Sequence, residues 1–65
     1  MKFQIYLFDN NDKQVYTEEV EERNLNAVLR ETKRKLDEGY VKISDTDYIN
    51  VEYIKGFRVI ELEEE

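Results

Sequence analysis

The chain has 65 residues, sixteen of them Asp or Glu against ten Lys or Arg, a net charge of −6, and no His, Cys, Trp or Pro. Without His and Cys it lacks the usual general base at neutral pH, the usual soft metal ligands and the best protein nucleophile, and neither disulfide nor zinc can staple it. A chain this short buries only about 60% of its unfolded surface, so extra burial must come from self-association or a partner.

Phe3, Ile5 and Leu7 alternate with Gln4, Tyr6 and Phe8, a period of two that predicts a strand. Gln4 interrupts the apolar run, it stops at Asp9, and no small-residue cleavage site follows, so it does not read as a signal peptide. No stretch approaches the length of a membrane span, and a cytoplasmic protein is expected. Asp9-Asn10-Asn11-Asp12 is turn chemistry, because Asn and Asp tolerate positive φ and bond to the local backbone. A second strand over about residues 13–20 returns from it as a hairpin, although Glu18 and Glu19 are poor strand residues.

Asn24 is the expected N-cap. Leu25, Val28, Leu29, Thr32 and Leu36 then mark one face of an amphipathic helix over residues 24–38, and Gly39 suits the left-handed position that ends it. Residues 40–44 read as a short strand with Val41 and Ile43 on one face, and Ser44-Asp45-Thr46-Asp47 as a turn. Residues 48–53 return with Ile49 and Val51 facing in, Ile54-Lys55-Gly56 reads as a turn, and residues 57–62 as the last strand. Glu63-Glu64-Glu65 is a like-charged tail expected to be disordered.

The predicted fold is α+β, a single domain over residues 1–62 with order β-β-α-β-β-β: an antiparallel sheet with one helix on one face. The alternative joins residues 47–62 into one long bent strand, giving ββαββ. The predicted core is Phe3, Ile5, Leu7, Val28, Leu29, Leu36, Val41, Ile43, Ile49, Val51, Phe57 and Val59.

The segment Tyr48-Ile49-Asn50-Val51-Glu52-Tyr53-Ile54-Lys55-Gly56-Phe57-Arg58-Val59-Ile60-Glu61 resembles the C-terminal part of many small uncharacterised α+β proteins of Gram-positive bacteria and their phages. The resemblance is confined to that segment. It implies no activity and transfers no functional residues.

Two strands are apolar on both faces, yet one helix covers only one face of a sheet. Tyr6, Phe8, Ile60 and Leu62 are therefore left as a patch for a dimer or partner interface, unless Lys and Glu stems or strand twist cover them. Asp45, Asp47 and Glu52 supply an acidic rim that would meet basic groups on a protein partner. Arg23, Arg30, Lys33 and Arg34 are candidate anion-binding residues on an otherwise acidic chain. The plainer account is i,i+4 pairing of Glu31 with Lys35, Lys33 with Asp37 and Arg34 with Glu38 on a solvated helix face. Asp9, Asn11 and Asp12 lack the glycine and terminal glutamate of a calcium loop, and no metal or other cofactor is expected.

No spacing singles out a catalytic pair of carboxylates, and the only glycines, Gly39 and Gly56, make no phosphate loop. A non-enzymatic chain is expected, and direct nucleic-acid binding is not. Three functions remain. The first is a protein-binding module, plausible as an accessory or inhibitor from a phage or mobile element, including mimicry of nucleic acid by carboxylates. The second is a small-ligand or nucleotide-sequestering homo-oligomer. The third is a structural or assembly subunit joined through edge strands.

Overall fold

The computed structural model describes residues 1–63. Alternation in Lys2–Asp9 builds β1, the central strand of a three-stranded antiparallel sheet. Its neighbours are β2 (Gln14–Glu21) and β5 (Ile54–Leu62), in the order β2-β1-β5. Asp9 makes the first turn. Its Oδ1 accepts hydrogen bonds from the Asn11 and Lys13 amides at 2.8 and 2.9 Å, and Asp12 takes a φ of 62°.

Helix α1 spans Leu25–Asp37. Asn24 caps it by accepting from the Ala27 amide at 2.9 Å. Gly39, at φ 92°, ends it in the left-handed region, with its amide donating to the Leu36 carbonyl at 3.3 Å. The buried core is Phe3, Ile5, Leu7, Val28 and Val41, with Leu36, Val51, Phe57 and Val59 packed around it. Thr32 is buried among them because its hydroxyl donates back to the Val28 carbonyl at 2.9 Å, which leaves no polar atom orphaned.

The remaining strands, β3 (Tyr40–Lys42) and β4 (Tyr48–Asn50), form a separate two-stranded ribbon, paired Tyr40 to Asn50, Val41 to Ile49 and Lys42 to Tyr48. Val41 points into the core. The Val51 amide donates to the Gly39 carbonyl at 3.0 Å, closing the ribbon at its base. The fold is thus α+β in the order β-β-α-β-β-β, with β4 and β5 distinct strands rather than one bent one.

Three local expectations are corrected. Ile43 is not core: β3 ends at Lys42, the Ile43 amide already belongs to the turn through the Asp47 carbonyl at 2.9 Å, and its side chain is 36% exposed. The strand from Tyr48 stops at Asn50, and Val51–Tyr53 is a 3-10 turn capped by Asn50 Oδ1. Ile54-Lys55-Gly56 is consequently not a turn but the start of β5, with a bulge where the register shifts between Phe8 and Asp9. The acidic tail expected at residues 63–65 falls outside the described residues beyond Glu63.

Candidate interaction surface

Strand register decides which side chains share a face, since directly opposed residues in an antiparallel pair point the same way. Phe3, Ile5 and Leu7 oppose Glu61, Val59 and Phe57 on β5, and Val20, Glu18 and Tyr16 on β2. This is the face covered by Val28 of α1 and Val41 of the ribbon. The other face carries Lys2, Gln4, Tyr6 and Phe8 on β1, opposed by Leu62, Ile60, Arg58 and Gly56 on β5. Tyr6, Phe8, Ile60 and Leu62, picked out by alternation, thus share the face turned away from the helix. Ile60 is 42% exposed, and the other three are half-buried.

Side chains partly cover this face. The Arg58 guanidinium lies 5.6 Å from the centre of the Phe8 ring, within cation–π range and worth about 0.5–1 kcal/mol at an exposed site. The Gln4 amide donates to the Thr17 hydroxyl. On the β2 side the row is acidic: Glu19 opposes Gln4, Glu21 opposes Lys2, and Lys2 Nζ sits 4.0 Å from Glu19. The open face therefore has an apolar half over β1 and β5 and an acidic half over β2. Glu19 and Glu21 were not singled out from sequence. Only the hairpin register, with its shift between Leu7 and Phe8, puts them beside the patch.

Asp45, Asp47 and Glu52 lie elsewhere, in the β3–β4 turn and the 3-10 turn. Asp47 is tied into its own turn: its Oδ2 accepts from the Ser44 hydroxyl at 2.8 Å and its amide donates to Ser44 Oγ at 3.1 Å. Asp45 is fully exposed, 4.0 Å from Lys42. The ribbon also carries an exposed aromatic pair that sequence reading missed. Tyr40 and Tyr48 meet edge to face at 5.3 Å, because they are diagonal neighbours across the two strands.

Of the candidate anion-binding residues, Arg23 precedes the N-cap, while Arg30, Lys33 and Arg34 are exposed on α1. Arg34 is held by Glu31 at 3.1 Å and Glu38 at 2.9 Å, and the hydrogen bond to Glu31 raises its pKa further. Lys35 reaches across to Glu18 on β2 at 3.1 Å rather than along the helix to Glu31. Beside these residues a cleft of about 290 Å³ opens between α1, β2 and β3, lined by Tyr16, Arg34, Lys35, Tyr40 and Lys42 together with Glu18 and Glu38. That is at the lower end of ligand-pocket volumes, about 300–1,000 Å³, and both helix cations in it already hold carboxylates.

No helix among the described residues is long and apolar enough to cross a membrane. No protein-family model, curated protein or solved structure matches the chain.

Proposed function

We propose that the chain is a non-catalytic protein-interaction module, an accessory or inhibitor protein of a phage or mobile element, that docks on a host protein through the open face of its sheet. The observation that carries this reading is the register that places Tyr6, Phe8, Ile60 and Leu62 together on the face opposite the helix. Aromatic residues with an aliphatic surround make the energetic centre of an interface. The acidic row of Glu19 and Glu21, with Asp45, Asp47 and Glu52 further off, steers a partner with a basic rim and contributes mainly to association rate. Exposed ion pairs are worth about 0–1 kcal/mol each, whereas a buried aromatic anchor contributes about 2 kcal/mol or more. The origin rests on the resemblance of residues 48–61, and a cytoplasmic location belongs to the same reading.

The test is capture from a lysate of a Gram-positive bacterium by the immobilised chain, compared with Tyr6→Ala, with Phe8→Ala and with a triple reversal of Asp45, Asp47 and Glu52 to Lys. The retained protein is expected to dissociate at least about thirtyfold faster from either truncation. From the triple reversal it should associate more slowly, with a reduced salt dependence. A partner held equally by both truncated variants, each folded by circular dichroism, would sink the reading. Loss of equilibrium binding with the charge reversals alone would transfer it to nucleic-acid mimicry.

A further inference from the structure

The sheet has two outer edges, and they differ. Among the described residues, β2 and β5 are each hydrogen-bonded only to β1. An unpaired strand edge is a template for another strand, and proteins commonly guard it with charge, proline or a bulge. The β2 edge is guarded: Gln14–Glu21 carries Glu18, Glu19 and Glu21 and no base. A strand added there would run beside three carboxylates in the last four residues of β2. The β5 edge has mixed charges, Lys55, Arg58 and Glu61, and no proline. Its bulge is confined to the Lys55 end, and Gly56–Leu62 runs in unbroken register along Phe8–Lys2.

We propose that the outer edge of β5 pairs antiparallel with the same edge of a second copy of this chain, joining two sheets into one of six strands. The symmetric register that uses the whole regular stretch is centred on Val59. It sets Arg58 against Ile60 of the second copy, Gly56 against Leu62, and Phe57 against Glu61. No like charges are directly opposed in this stretch. One feature of the protomer suits this register: nothing lies within 4 Å of where a Cβ on Gly56 would sit, which leaves room for the leucine of the second copy. The two-fold operation keeps both helices on one side of the sheet, and the apolar halves of the two open faces become continuous across the seam. The pairing stands whether or not the open face binds a host protein.

The test uses the intact chain. Sedimentation equilibrium from about one to several hundred micromolar is expected to show the mass rising from 7.9 kDa towards twice that value. Over the same range, exchange of outward amides in Gly56–Leu62 should slow, while that of outward amides in β2 should not. Two substitutions at the exposed Ile60 fix the register. Ile60→Lys places a cation opposite Arg58 of the second copy twice over, and Ile60→Glu places an anion there twice over. The lysine variant is expected to dissociate at least about tenfold more readily than the glutamate variant. Net charge argues the other way, since the lysine reduces repulsion between two acidic molecules. A monomer throughout the range, slowed exchange at β2 instead of β5, or equal effects of the two substitutions would overturn the proposal. Dimers seen by mass with unchanged β5 exchange would point to packing of open faces and would overturn it as well. The outcome is separable from host-protein capture, which depends on Tyr6 and Phe8.

Discussion

Tyr16 shows how a single side chain ties stability to pH. It opposes Leu7 on the helix-covered face. Burial raises its pKa above that of a free phenol, and the Glu18 carboxylate, itself bridged to Lys35, raises it further. The folded state therefore holds the phenolic proton more tightly than the unfolded chain does. That contribution is fully present below the unfolded pKa of about 10 and is lost as pH rises through the higher folded value. Urea midpoints of the parent should fall as pH rises above about 10, and Tyr16→Phe should flatten part of that fall. Parallel declines in parent and variant would show that Tyr16 does not carry it. Thr32 illustrates a different residue-scale rule. Its place on the apolar stripe was legible from spacing, but its burial depends on a hydroxyl satisfied within its own helix, which no periodicity reveals.

At the scale of elements, the two glycines have opposite roles. Gly39 stands at φ 92°, where a side chain is strained. Gly56 has ordinary strand geometry with open space above it. Gly39→Ala is expected to cost about 1 kcal/mol or more, and Gly56→Ala to be neutral or stabilising by about 0.4–1 kcal/mol through the unfolded chain. Denaturant midpoints of the two variants check this; equal losses would refute it. These positions also mark what sequence conveys. Asn24 and Gly39 bracket the helix because capping is local chemistry, written in adjacent residues. The β4–β5 junction misleads, because Gly56 attracts a turn reading while the real turn is Val51–Tyr53. That turn holds no Gly or Pro, and a side-chain bond from the Glu52 amide to Asn50 steadies it. The division into a three-stranded sheet and a ribbon was not legible either, since β1 and β5 pair across most of the chain and alternation says nothing about which strands meet. The same ignorance of register hid Glu19 and Glu21 from the site, although alternation alone found the patch beside them.

For the whole molecule, the middle strand of the sheet is the first in the chain, and one of its two neighbours is the last. This has a consequence for the order of events during synthesis. β1 and β2 can pair as soon as both have emerged, because only a short turn joins them. The second edge of β1 stays unfilled until residues 54–62 have been made. Closing it joins segments separated by most of the chain, the kind of non-local contact that slows folding. A nascent chain halted at Tyr53 would hold the hairpin and helix sequences but lack Phe57 and Val59 against the core. We expect a chain of residues 1–53 to show no cooperative urea transition by circular dichroism, and a sharp transition in that fragment would show that β5 is dispensable. Completion of the sheet then waits for β5, and in the interval the bare flank of β1 is exposed strand edge of the kind that chaperones shield.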